Sequence, residues 1–297
     1  MGDRRERPGG VLVVGSVNED VVLHVGRQPR PGETLPARSV TRSPGGKGAN
    51  QAAAAARQGT RVQLLGRVGE DPAGARMVKA LDERGVDTAL VEADASAPTG
   101  AAYILLTPDG ESTIILEGGA NQRLRPDHVR LHAADVGSCA VLLVQMEVPT
   151  ATVVTALELA RKAGARRVLN LSPPAGLPAE ALGGIDPLVV NQHEAAILLG
   201  RGSVGVEGAE GAAAELLSRG PASVVLTLGA AGCAVATPAG TRRLEAPPVA
   251  KVVDTTGAGD ALAGTLAAAL AGGSSLLDAV RLGQEAAARA VGRLGAQ

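Results

Sequence analysis

The chain has 297 residues, 45% of them apolar, enough to bury a substantial hydrophobic core. Its 29 Lys and Arg balance 30 Asp and Glu to a net charge of -1, and DRRER near the start is the one basic run, so neither nucleic acid nor an anionic membrane is an expected partner. Phe and Trp are absent and Tyr103 stands alone, so the core has to be built from Ala, Val and Leu.

At the N-terminus, MGDRRERPGG carries charge but no apolar stretch of signal-peptide length, because VLVVG runs at once into polar residues. ALAGTLAAALAGG is too short and too rich in Ala and Gly to cross a bilayer. Cys139 and Cys233 lie far apart among apolar neighbours, as buried free thiols of a cytoplasmic protein would. In chain order, continuous apolar runs at 11–15, 61–66, 140–145, 166–170, 187–191 and 223–229 predict strands buried on both faces of a parallel sheet. Between most of them, GANQAAAAARQG, DPAGARMVKALDERG, PTATVVTALELARKAG, HEAAILLG and EGAAAELLSRG predict helices. This alternation predicts a doubly wound α/β fold with right-handed crossovers. Two stretches interrupt it: a polar, Pro- and Gly-rich segment at 18–42 and a hairpin at 99–118 turned at Pro108, Asp109 and Gly110. Together they predict a small β layer beyond the strand ends, placed to act as a lid. No repeat or linker divides the chain, so residues 1–297 are expected to form one domain. A lid sheet with one open face is expected to pair with its copy in a homodimer.

Three motifs carry chemistry. DTTGAGD, 254–260, sets an acid and two Thr before Gly257, Ala258 and Gly259, with Asp260 at the mouth of a helix. Exposed amides and a helix N-terminus stabilise phosphate charge, and the carboxylate can take a proton from an attacking hydroxyl. An ordinary helix capped by Asp254 or Thr255 is the plain alternative. SPGGKGANQAAAAA, 43–56, brings Gly45, Gly46, Lys47, Gly48 and Asn50 to the start of an Ala-rich helix, as a ligand-binding loop or as a glycine turn with a solvated lysine. GSVNED, 15–20, follows the first strand; Asn18 and Asp20 project to one side of an extended segment and could read a sugar diol, or could bond their own backbone in a turn.

Weaker signals accompany these. Glu147 follows a buried strand, facing a cleft or capping the next helix. Asn191 and Glu194 are spaced for a capping box or for water-mediated Mg²⁺ contact. Thr227 and Gly229 end a strand among small residues, as a nucleotide would require. His24, His128, His132 and His193 have no metal-ligand spacing. Neither GxxxxGK[ST] nor GxGxxG follows any strand, which argues against a P-loop or dinucleotide-binding site.

With GGKGANQA at 45–52, DTTGAGD at 254–260, and GSVNED, QMEVP, NQHE and TLG in register, the chain resembles the PfkB carbohydrate kinases from about residue 11 onward. The resemblance implies a three-layer, doubly wound, mostly parallel sheet with a small β-sheet lid, and ATP-dependent phosphorylation of D-ribose at O5. Another sugar kinase, acting on 2-deoxyribose or a nucleoside, or a catalytically silent sugar-binding protein on the same fold, is the alternative. It makes Asp260 the general base, and the amides of Gly257, Ala258 and Gly259 the anion hole. Asn18, Asp20, Gly46, Lys47, Asn50 and Glu147 would bind the sugar. ATP and its Mg²⁺ would engage Asn191, Glu194, Thr227, Leu228, Gly229, Ala230, Ala231, Gly232 and Gly259, with Gln284 near the adenine, where the family varies. A monovalent cation, K⁺, would sit by Asp254, Thr256, Ala290, Arg293 and Gly295. The family pattern continues beyond GAQ, so one late hydroxyl ligand of that cation loop has no counterpart here.

Overall fold

The structure, a computed structural model, describes residues 9–292. In chain order the elements are β1 (Val11–Val14), β2 (Asn18–His24), β3 (Ser39–Gly45), α1 (Lys47–Ala56), β4 (Val62–Gly69), α2 (Pro72–Asp82), β5 (Val86–Asp87), β6 (Val91–Asp94), β7 (Gly100–Leu106) and β8 (Ser112–Glu117). There follow α3 (Pro126–Leu131), α4 (Ala133–Ser138), β9 (Val141–Val144), α5 (Thr150–Ala163), β10 (Arg166–Asn170), β11 (Leu188–Asn191), α6 (Gln192–Leu199) and α7 (Ala209–Leu217). The last are β12 (Val224–Thr227), β13 (Cys233–Thr237), β14 (Gly240–Leu244), α8 (Ala258–Ala271) and α9 (Leu276–Ala290).

The large sheet has ten strands in the order β14-β13-β12-β11-β10-β9-β1-β4-β5, with β6 pairing the far end of β4. Strands from β5 through β12 run parallel, each of the six predicted apolar runs supplying one. Successive side chains of a strand point to opposite faces, and here both faces are covered. Leu12 and Val14 pack with Val153, Leu157, Ala195 and Leu216 from α5, α6 and α7. Val11 and Val13 pack with Ala52, Leu81, Leu266 and Val280 from α1, α2, α8 and α9. The result is the three-layer arrangement expected. The antiparallel hairpin β13–β14 closes one edge; the run CAVA followed by Pro-Ala-Gly was its available signal.

The second sheet has four strands in the order β3-β2-β7-β8. It comes from the two predicted stretches, but β3 continues past residue 42. Ser43, Pro44 and Gly45, expected in a loop, pair instead with Asp20, Glu19 and Asn18. GSVNED and SPGGKGAN are therefore neighbouring strands before α1 begins. Glu19 fastens this sheet to the main body, accepting from Arg42 of β3 at 2.8 Å and from Arg76 of α2 at 2.6 Å. Its outer strand β8 is exposed throughout, and Tyr103 of β7 donates its hydroxyl to Glu117 at 3.1 Å.

Between β1 and its neighbours the chain turns first one way, to β4, and later the other way, to β9. Such a reversal opens a crevice beyond the carboxyl ends of the strands. Across the sheet's face, α8 lies against α1 with small residues at the contact: a Cβ on Gly264 would stand 2.2 Å from Gln51 O and 2.8 Å from the Ala54 Cβ. Gly264→Ala in a helix interior would ordinarily stabilise by roughly 0.5–1 kcal/mol. Here it should destabilise by about 2 kcal/mol through overpacking, lowering the melting temperature by several degrees. A thermal melt at or above the wild-type temperature would contradict this packing.

Candidate active site

The crevice is lined by residues just after β1 and β9, and by the N-termini of α1 and α8. Ser16, after β1, donates Oγ–H to Glu147 Oε2 at 2.6 Å and accepts from Gly48 N at 3.3 Å. The Lys47 amide donates to the same Glu147 oxygen at 3.0 Å. Glu147 thus satisfies the first turn of α1, where a helix dipole favours negative charge. It does not cap the following helix α5, whose N-cap position is Pro149 and which has no side-chain cap. Gly46 turns into α1 at φ 88°, a conformation suited to glycine, and a Cβ there would meet Asn18 N at 2.7 Å.

On β2, Asn18 and Asp20 share one side as predicted, with Glu19 turned to its arginines. Asn18 Oδ1 accepts from Asn121 Nδ2 at 2.7 Å, and Asn121 also bonds Val17 through both N–H and C=O. Asp20 reaches over Gly45, where a Cβ would stand 2.0 Å from its Oδ1. The first glycine of GGKGAN is thus required by the carboxylate on the neighbouring strand. Asp260, in the first turn of α8, is buried; Oδ2 accepts from Asn50 at 3.1 Å and Oδ1 from Gln51 at 2.9 Å. Gly257, at φ 76°, occupies the N-cap position of α8, which has no side-chain cap. Asp254 does not cap it; its Oδ1 holds the Thr256 amide at 2.8 Å. Of the three expected anion-hole amides, that of Ala258 makes a 3.3 Å bond to Thr255 O, long enough for a stronger acceptor to displace.

The charges converge. Burial pushes the Asp20 carboxyl up to about 7, reinforced by the nearby charges of Glu147 and Asp260 and opposed by Lys47. Burial works against the Lys47 ammonium, but the fields of Asp260, Glu147, Glu194 and Asp20 outweigh it and hold Lys47 above its usual range. One lysine among four carboxylates brings the three motifs and Glu194 into a single electrostatic unit.

Farther along the sheet edge, Asn191 accepts from Glu194 N at 2.9 Å and Glu194 accepts from Asn191 N at 2.7 Å, so the capping box is formed. Thr227 ends β12, and Leu228–Gly232 follow as a tight turn holding Gly229, Ala230 and Ala231. Gln284 is buried and donates to Leu244 O at 3.4 Å. The amides of Val253 and Asp254 both donate to Val291 O, at 2.7 and 3.2 Å, joining the segment with Asp254 and Thr256 to the end of α9 beside Ala290. Arg293 and Gly295 lie outside the described residues. Sequence reading passed over Ser16, Gln51, Asn121, Gln145 and Asn170. For Ser16, Gln51, Gln145 and Asn170 the one signal is polarity at strand ends and inside an Ala-rich helix, where apolar residues would otherwise pack; Asn121, in the turn between β8 and α3, carries none.

Residues 9–297 match the family described as pfkB family carbohydrate kinase. The chain belongs to this family, and it is a carbohydrate kinase. It is 38% identical to the ribokinase of Haemophilus influenzae over 287 residues, 97% of this chain and 94% of that protein. A solved structure of Arabidopsis thaliana ribokinase complexed with ribose and ATP superposes with a TM-score of 0.90 at 33% identity, covering 97% of this chain and 94% of that one. The deoxyribokinase of Salmonella typhi is 31% identical over 86% of this chain and 84% of its own length. The resemblance carried by the motifs, and the α/β fold it implied, are borne out.

The Asp20 environment has a consequence for stability. In the unfolded chain this carboxyl titrates near 3.8 and in the folded one near 7. Its contribution to stability is therefore full below about pH 4 and is lost as pH rises toward 7, by at most about 4 kcal/mol. Asp20→Asn should remove that loss. Denaturant unfolding of the ligand-free variant should show its stability relative to wild type increasing between pH 4 and 7 and level above. A difference independent of pH would refute the buried, crowded carboxylate.

Proposed function

We propose that the protein phosphorylates D-ribose at O5 with ATP, releasing ribose 5-phosphate and ADP. The observation that carries this reading is Asp260, buried at the mouth of α8, held by Asn50 and Gln51, and close enough for its charge to act on both Lys47 and Asp20. The sugar would lie in the crevice among Asn18, Asp20, Gly46, Lys47, Asn50 and Glu147. Asp20 would accept from two neighbouring ring hydroxyls, with Lys47 donating. As O5 bonds to the γ-phosphorus and the bond to the departing ADP oxygen breaks, the hydroxyl proton passes to Asp260. The amides of Gly257, Ala258 and Gly259, at the positive end of α8, would hold the equatorial phosphoryl oxygens. Positioning and this electrostatic cradle supply most of the acceleration.

The turn from Thr227 to Gly232, together with Asn191, Gly259 and Gln284, would receive ATP. Asn191 and Glu194 present the oxygen donors a hard divalent ion prefers, so they would hold Mg²⁺ through water, and the ion would neutralise phosphate charge. Asp254 and Thr256, beside Ala290 and the carbonyl end of α9, form an all-oxygen set suited to K⁺. In this reading, residues 1–297 form one catalytic domain of a cytoplasmic enzyme, and the four-stranded sheet is its lid. Among the described residues no helix is long and apolar enough to cross a membrane.

Asp260→Asn should lower kcat by about 10²- to 10⁴-fold. Ribose affinity by calorimetry should stay within a few-fold of wild type; near-normal turnover would remove Asp260 from its role. A coupled assay should give ribose the higher kcat/KM over 2-deoxyribose, because the deoxy sugar leaves Asp20 short of one partner. Equal values would favour the deoxyribokinase-like alternative.

We also propose that the lid pairs with its copy, since Ile114, Ile115 and Leu116 of the edge strand β8 and Val40 of β3 are all exposed. The double substitution Ile114→Glu/Ile115→Glu should halve the mass measured by light scattering. An unchanged mass would place the contact elsewhere.

A further inference from the structure

We propose that Gln51 is a positioning residue for the general base: it fixes Asp260 through Oδ1 and thereby assigns proton acceptance to Oδ2. The inference rests on Asp260 being the base, as above. Gln51 is fully buried in α1, adjacent to Asn50. Its amide nitrogen donates to Asp260 Oδ1 and to Asn170 Oδ1, both at 2.9 Å. Its amide oxygen accepts from Gln145 Nε2 at 2.7 Å. Both N–H bonds and the carbonyl are thus engaged, and apart from Asp260 itself none of the partners is a group expected to meet the sugar.

The direction of each amide follows from its partners. An ionised carboxylate only accepts, so the NH₂ end of Gln51 faces Asp260. Asn170 spends its own nitrogen on Val189 O at 3.3 Å, which leaves its oxygen toward Gln51. Gln145 presents its nitrogen to the oxygen of Gln51. Turning the Gln51 amide over would set oxygen against oxygen at Asp260 and at Asn170, and nitrogen against nitrogen at Gln145. The three amides therefore act as one oriented support. Gln145 directly follows β9 and Asn170 closes β10, so this support roots the carboxylate in adjacent central strands of the sheet.

The two oxygens of Asp260 are consequently unlike. Oδ1 faces the buried amides. Oδ2 faces Asn50, a residue expected to meet the sugar, and is the oxygen on the substrate side. Gln51 holds the carboxylate plane by a neutral donor, without setting a formal positive charge against the base. A base held in one plane meets the attacking hydroxyl at a fixed angle, and small displacements from such geometry cost large factors in rate.

The test uses the full chain with Gln51→Met, which keeps length and volume but donates nothing. Its kcat should fall by roughly 10- to 100-fold, while KM for ribose and for ATP, and the calorimetric ribose affinity, stay within about threefold. Asn170→Ala, which removes only the outer partner, should lower kcat by a smaller factor with KM again unchanged, and it serves if Gln51→Met does not fold. Gln51→Glu sets a second carboxyl against Asp260, with Lys47, Asp20 and Glu147 as the other charges nearby. The acidic limb of its pH–kcat profile should move to higher pH, which a purely structural change would not produce. A folded Gln51→Met with wild-type kcat, a loss shared equally with KM, or a Gln51→Glu profile superimposable on wild type would overturn the proposal. Asp260→Asn assayed in parallel separates the two failures: turnover retained there removes the base itself, whereas turnover lost there with normal Gln51 and Asn170 variants removes only the support.

Discussion

At Gly264 the backbone of α8 comes so near α1 that a methyl group would lie 2.2 Å from the Gln51 carbonyl oxygen, and the active centre depends on that approach. Two sequence motifs some two hundred residues apart reach one place because the helices they begin are packed through Gly and Ala rather than through large side chains. The same contact carries Asn50 and Gln51 on one helix to Asp260 on the other. Hydrogen bonding across a buried face is costly to leave unmade, so the pair is held in register as well as in contact. An Ala-rich composition, unusual for a core, is the form that such close helix packing requires.

The sheet supplies the second coordinate. Its reversal beside β1 places Ser16 opposite Glu147, and their hydrogen bond spans the crevice at 2.6 Å. Pairing of β2 with β3 then stacks Asp20 over Gly45, directly before the turn into α1. Burial would make three carboxylates in such a space unfavourable together. Lys47 offsets part of that cost, and Asp20 carries much of the remainder in its raised affinity for a proton. The electrostatic strain of the ligand-free protein is concentrated on the group expected to gain hydrogen-bond donors from a sugar.

Much of this was legible in sequence, for identifiable reasons. Strands buried on both faces are continuous Val and Leu runs, so β1, β4, β9, β10, β11 and β12 declared themselves. Glycines with a chemical task, such as Gly46 and Gly257, sit in motifs whose order is diagnostic. What stayed hidden depends on pairing between distant segments. The register that makes Ser43–Gly45 a strand is set by β2, not by local propensity. Glu147 serves the helix a hundred residues before it rather than the one after it. Gln51, Gln145 and Asn170 look like unremarkable polar residues until three separate elements bring their amides together, and no local pattern encodes that meeting.

Tyr103 adds a consequence of a different kind. The chain has no Trp and no other Tyr, and this ring lies on β7 of the four-stranded sheet, bonded to Glu117. Ultraviolet emission from the whole protein therefore originates at one spot on that sheet. A change in its intensity or lifetime when sugar or nucleotide is added would be a native optical signal from that spot, with no engineered label and no background from the main body.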